Sequence, residues 1–162
     1  MPNSKSFLTD LNWKALLLVL SLALAGAQIP GRLTVNPSPS IRHMLFFVIR
    51  HPDRVSKGDY VVFRVEHIDP YINGKTLIKK VTCDEGEMLT EKGKDYFCDG
   101  NDYLGRAKDF SFTGERLQNF VYNGIIPTGF CFVSGSNKDS YDSRYWGLLR
   151  KKDVEARAYP IF

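Results

Sequence analysis

The strand signature of this chain is clearest in "KGDYVVFRV", Lys57–Val65. Gly58 and Asp59 are turn residues, and Tyr60 to Val65 are mostly β-branched or aromatic, the composition of a short strand. Runs of the same kind recur at close spacing on both sides. They are "MLFFVI" (44–49), "TLIKKV" (76–81), "DYFC" (95–98), "FVYN" (120–123) and "FCFVSG" (130–135), separated by turn residues. No long amphipathic helix follows residue 40. The expected architecture is therefore a small, mainly β domain, partly open, in a chain of 162 residues that is long enough for one core.

Before the strands lies an uncharged run from Ala15 to Ile29, preceded by Lys5 and Lys14. At a rise of about 1.5 Å per residue it spans roughly 22 Å, short of the ~30 Å hydrocarbon core. Two readings stay open. The run is a single membrane anchor with Trp13 at one interface and Pro30 at its end, or a cleaved signal peptide, since Ala25–Ala27 ("AGA") has small residues where cleavage needs them. Either reading exports the remainder. The expected organisation is a cytoplasmic N-terminus over 1–12, an anchor or signal sequence over 13–30, and an exported β domain over 31–162. In a bacterial cell this places a single-pass protein in the inner membrane with its domain on the periplasmic side.

Net charge is +4 and spread thinly, with no arginine-rich helix and no basic block interleaved with aromatics. Nucleic acid is therefore not an expected partner, whereas a lipid bilayer is. Of the three cysteines, Cys83 and Cys98 bracket a polar stretch with Gly93 near its centre, which reads as a two-stranded ribbon. In an oxidising compartment their disulfide is the simplest pairing, although sequence leaves other pairings open. Cys131, within "GFCFV", reads as a small buried hydrophobe. His43, His51 and His67 are scattered and there is no CxxC, so neither a metal site nor a cofactor is expected.

If the domain is an enzyme, it needs a nucleophile and a base. Ser40 ends the turn-rich "NPSPS" (Asn36–Ser40), with His43 and His51 close behind. A Ser-His-Asp triad lacks a recognisable spacing. Lysine is the other base. An ordinary lysine, with a pKa near ~10.4, is protonated at neutral pH, and burial among apolar groups lowers that value. In "TLIKKV" the strand period puts Leu77, Lys79 and Val81 on one face and Ile78, Lys80 and Thr82 on the other. Lys79 is thereby nominated, against the plainer reading that both lysines lie along the surface with their ammonium groups in water. The polar loop "SGSNKDSYDSRYWG" (Ser134–Gly147) crowds serines, aspartates and an arginine against Tyr145 and Trp146.

Four stretches, "NPSPSIRHM", "KGDYVVF", "LIKKVTCDEGE" and "SGSNKDSYDSRYWG", occur in an order and spacing that resemble the conserved boxes of the type I signal peptidase family. The last, above all "SYDSRYWG", is the specific one, and the resemblance runs from about residue 12 to residue 152. The compact size and the N-x-S-x-S form of the first box are similar to the conjugative-transfer branch, the TraF-type peptidases that mature pilin precursors. The resemblance implies a signal-peptidase-like β fold after one N-terminal transmembrane helix. It implies Ser40 as nucleophile, Lys79 as general base, Ser38 as oxyanion donor beside the Ser40 amide, and Ser140 as the serine orienting the lysine. Asp142 and Arg144 match a structural ion pair, and Tyr145 and Trp146 are expected to pack the loop onto the core. The implied partner is a membrane-inserted preprotein or prepilin.

Two departures stand out. Ile41, Arg42 and His43 occupy a region where the family often has a proline, and "VTCDEGE" replaces a glycine- and proline-containing sequence. The expected function is leader cleavage from exported precursors, with cyclisation of the product chemically open. A general signal peptidase and a non-catalytic assembly subunit of a secretion channel are the alternatives.

Overall fold

The computed structural model describes residues 13–28, 32–36, 40–65 and 72–161. The chain divides into two units, Met1–Leu33 and Thr34–Phe162. In the first, helix α1 (Trp13–Gln28) is 16 residues long. Leu16 to Leu20, Leu22 and Leu24 are exposed along it, so it is apolar over much of its circumference. Sixteen residues span roughly 24 Å, short of a bilayer core of ~30 Å. Among the described residues no helix is long and apolar enough to cross a membrane. Helix α1 covers residues 13–28 of the anchor or signal sequence expected over 13–30, and residues 1–12 and 29–30 lie outside the described set.

The second unit is mainly β. Its larger sheet holds β1 (Leu33–Val35), β2 (Leu45–Arg50), β3 (Tyr60–Arg64) and β4 (Thr76–Cys83). It is completed by β9 (Phe130–Ser134), β10 (Leu149–Arg150) and β11 (Val154–Pro160), in the order β1-β2-β11-β3-β4-β9-β10. The smaller sheet, ordered β7-β6-β5-β8, holds β5 (Met88–Lys92), β6 (Asp95–Cys98), β7 (Asp102–Arg106) and β8 (Gly124–Ile125). The pairs from β2–β11 through to β9–β10 are antiparallel.

Both faces of the larger sheet are covered, which is why β3 reads as a nearly continuous apolar run. Val61 and Phe63 point into one cluster with Val65, Val81 and Val133. Val62 points into another with Phe46, Ile78 and Ala158. Burying a side chain of this size stabilises the fold by about 1.5–3 kcal/mol. A third cluster joins the sheets through Phe132, Cys83, Leu89 and Tyr96.

The ribbon expected between Cys83 and Cys98 forms as the β5–β6 hairpin. Its turn places Gly93 and Lys94 at φ 58° and 77°, the doubly left-handed turn that suits the twist of paired strands. Cys83 and Cys98 are joined, S–S 1.94 Å, and Cys131 is a buried free thiol. Two strand expectations need correction. "FVYN" is not a strand: Phe120 and Tyr122 stack at 5.6 Å, and the Phe120 amide donates to the Arg144 carbonyl instead of to a ladder. The short β8 follows it. β11, in the middle of the larger sheet, comes from "VEARAYP", whose alternating Val154, Ala156 and Ala158 are the buried set.

Candidate active site

Three segments converge on Lys79. It lies mid-strand in β4, opposite Val61 of β3 and on the same face as Val81. Only 3% of it is exposed. Its Nζ donates to Ser140 Oγ at 2.8 Å, and Ser140 is itself 2% exposed. Burial removes the water that would stabilise an ammonium ion and draws the Lys79 pKa down to about 8. The Asp142 carboxylate pulls against that shift, and the Arg144 guanidinium adds to it. Lys80, its neighbour in sequence, is exposed on the opposite face with Nζ 5.9 Å from the centre of the Tyr60 ring. Alternation along one strand has given two adjacent lysines opposite environments.

Ser140 is positioned by its loop. Its amide donates to the Asn137 carbonyl at 3.0 Å, and its own carbonyl accepts from Arg144 Nη2 at 3.0 Å. Arg144 is held by Asp142 through Nε–Oδ1 and Nη2–Oδ2, each 2.8 Å, with the carboxylate fully buried. The desolvation of a buried pair is offset when its remaining hydrogen bonds are satisfied, and here they are. Asp142 Oδ2 also accepts from the Gly135 amide at 2.9 Å, and Arg144 Nη1 donates to the Arg106 carbonyl at 2.9 Å. Asp142 caps helix α2 (Ser143–Trp146) by accepting from the Arg144 amide. Trp146 packs beside Phe63, ring centres 5.9 Å apart, and Tyr145 packs against the third cluster.

Ser40 stands in a turn ahead of β2, half-buried, followed by Ile41 in the core. Its carbonyl accepts from the Asn137 amide at 3.2 Å, so the Ser40 turn is tied to the loop that carries Ser140. A cavity of about 750 Å³ has Ser40, Lys79 and Ser140 in its wall, together with Val62, Leu77 and Ile78. Aliphatic side chains thus line the same cavity as Ser40, Lys79 and Ser140.

Gly135 and Asn137 are the residues that sequence reasoning missed. A Cβ at Gly135 would overlap the Ser140 hydroxyl and the Ser40 carbonyl oxygen, and stand 2.6 Å from Ser140 Cβ. Only glycine fits where those two segments meet. The signal available was a glycine directly after a strand, at the head of a polar loop.

Ser38 and His67 lie outside the described residues. His43 is packed edge-on to Phe46 and Tyr60, with ring centres 6.1 and 5.7 Å away, and neither it nor His51 is in the wall of the cavity. Cys83, Glu87 and Cys98 bring donor atoms within 4.8 Å of one another, but the two sulfurs are bonded together and have no thiolate to offer a metal.

The family model described as "Signal peptidase, peptidase S26" matches residues 11–162. The conjugal transfer protein TraF of Agrobacterium fabrum is 26% identical over 164 aligned positions, covering 89% of this chain and 92% of that protein. A signal peptidase I of Aquifex aeolicus is 39% identical over 44 residues, 26% of this chain and 17% of that protein's length. The crystal structure of a signal peptidase I from Enterococcus faecalis V583 superimposes with a TM-score of 0.41 and 24% identity, covering 64% of this chain and 95% of that one.

Proposed function

Because this chain belongs to the signal peptidase family S26, a family of serine peptidases, we propose that it is an endopeptidase acting through Ser40 and Lys79. The observation that carries the proposal is the buried Lys79 amine, bonded to Ser140 in the wall of the cavity that also holds Ser40.

In this mechanism neutral Lys79 donates one N–H to Ser140 Oγ and keeps its lone pair for the Ser40 hydroxyl. Ser40 Oγ attacks the scissile carbonyl carbon as Lys79 takes its proton. The tetrahedral oxyanion is met by the Ser40 amide and the Ser38 hydroxyl. Lys79 then passes the proton to the leaving amine, and an ester on Ser40 remains. Water, deprotonated by the same lysine, releases the acyl group; an amine from the substrate's other terminus in place of water would close a ring. Asp142 and Arg144 shape the loop and take no part in the proton transfers.

The substrate in this reading is an exported precursor with small residues at its cleavage junction, and more narrowly a pilin subunit of a conjugative transfer system. The similarity to the conjugal transfer protein over nearly the full length of both chains supports the conjugative-transfer part of that choice. The reading places the domain at the outer face of a bacterial inner membrane. The apolar circumference of α1 supports lipid contact there, with local thinning of the bilayer accommodating its short length.

The test is processing of a prepilin by purified wild type, Ser40→Ala, Lys79→Ala and Lys80→Ala. Wild type and Lys80→Ala cleave, and the other two are inactive. Normal processing by Lys79→Ala would sink the dyad. The mass of the product separates a linear chain from a ring that has lost water.

A further inference from the structure

The cavity beside Ser40 and Lys79 has a neighbour. Ile72, Asp139 and Tyr141, in its wall, also wall a second cavity of about 260 Å³. Sites for whole small molecules run from about 300 to 1,000 Å³, so this one falls just below that range. Its lining is apolar and aromatic, with Phe110, Phe112, Leu117, Tyr141 and Tyr145. The two tyrosines stack with centres 4.9 Å apart and planes 14° from parallel, and the Tyr145 hydroxyl accepts from the Lys108 amide at 3.0 Å. That wall is fixed before anything binds.

Another part of the wall is a tight turn over 109–117. The Leu117 amide donates to the Asp109 carbonyl and the Ser111 amide to the Glu115 carbonyl, each at 2.8 Å, while Gly114 supplies the left-handed residue at φ 84°. Ser111 Oγ and Thr113 Oγ1 are 2.8 Å apart across it. This ordered turn holds Phe112 99% exposed and Phe110 59% exposed. Single exposed apolar residues are ordinary. Two phenylalanines presented by a hydrogen-bonded turn, over an apolar groove rimmed by Lys108, Glu115 and Asp139, form a contact surface for protein.

We propose that this groove is a substrate subsite, which takes an apolar side chain of the polypeptide a few residues along from the bond presented to Ser40. The proposal rests on the peptidase reading and adds a second specificity element to it. The shared residues Ile72, Asp139 and Tyr141 are the reason for choosing substrate as the occupant: they put the groove next to the cleft, within reach of a peptide bound there. The junction itself is then small, and recognition strength comes from a leucine-, phenylalanine- or methionine-sized residue at one fixed distance from it.

The test uses the full-length protein carrying Ser40→Ala and fluorescently labelled peptides. Each peptide has a small-residue junction and either leucine or serine at one chosen position on either side. At one position leucine tightens binding by about tenfold over serine, a typical value for an apolar group entering a pocket. Adding Phe112→Ser removes that preference, Phe112→Leu restores it, and the all-serine peptide binds equally to all three. Because Phe112 is solvent-exposed, its loss leaves the fold intact. The proposal is overturned if no position prefers leucine, if the preference survives Phe112→Ser, if Phe112→Ser weakens every peptide alike, or if Phe112 matters only when phospholipid vesicles are present. Cleavage of the same peptides by the chain with Ser40 restored reports separately on the peptidase reading. Cleavage without a leucine preference sinks the groove alone, and leucine-dependent binding without cleavage sinks the peptidase alone.

Discussion

Lys79 Nζ and Ser140 Oγ are 2.8 Å apart, and both residues are almost entirely withdrawn from solvent. The amine is held at the end of a hydrogen bond whose other partner is itself fastened by the Asp142–Arg144 pair. Its free-base form is therefore aimed as well as accessible at moderate pH.

A pH–rate profile follows. The base must be unprotonated, so kcat/KM rises tenfold per pH unit on the acidic side and levels off near pH 8, set by the desolvated Lys79. Steady-state cleavage of a peptide across pH 6–10 checks this, and a limb centred near the ordinary value of 10.5 would contradict it.

The same burial has a cost in stability, with a definite sign. Between about 8 and 10.5 the unfolded chain binds the Lys79 proton and the folded one does not, so unfolding free energy rises with pH across that window. The full effect is roughly 3 kcal/mol, and below pH 8 it stands entirely against folding. Lys79→Met is thus expected to be inactive and more stable than wild type at pH 7, with a difference that shrinks as pH approaches 10.5. Urea unfolding at pH 7 and at pH 10 measures both.

Gly135→Ala tests the close approach of the Ser40 and Ser140 segments. The added methyl separates them, and a displacement of ~1 Å lowers cleavage by about a hundredfold. Circular dichroism should remain that of the wild type, and retention of full activity would show that the contact is slack.

Arg144→Ala leaves the fully buried Asp142 carboxylate without its partner and costs about 3–5 kcal/mol. Replacing Asp142 and Arg144 together by apolar residues costs less than the single change. Thermal denaturation of the three proteins gives the order.

Reduction of the Cys83–Cys98 bond opens a loop of 15 residues. The expected loss is about 3 kcal/mol. The transition of oxidised protein in urea should move to lower concentration when a thiol reductant is present, and a Cys83→Ala, Cys98→Ala protein should not respond to the reductant.

The strands that carry the candidate site were legible because their chemistry is local. Tyr60–Arg64 and Thr76–Cys83 announce themselves by residue type and alternation, and alternation alone separates Lys79 from Lys80. β11 was illegible for the opposite reason. "VEARAYP" has small and charged residues, and only its two neighbours in the sheet make it a central strand. The Cys83–Cys98 ribbon could be read from two cysteines and a turn. The closeness of Gly135 to Ser40 could not, because 94 residues of chain lie between two positions that only the folded sheet brings together.

The position of β11 also sets a schedule. β2 follows Ser40, and β3 leads into the strand that carries Lys79, yet the two are not neighbours: β11 lies between them and pairs with both. The part of the sheet that follows Ser40 and the part that carries Lys79 can be joined through β11 only after residues 154–160 have been synthesised. Pairing at that sequence separation is slow in general. A nascent chain that already displays Ser40 and Lys79 still lacks the strand that holds their two parts of the sheet side by side.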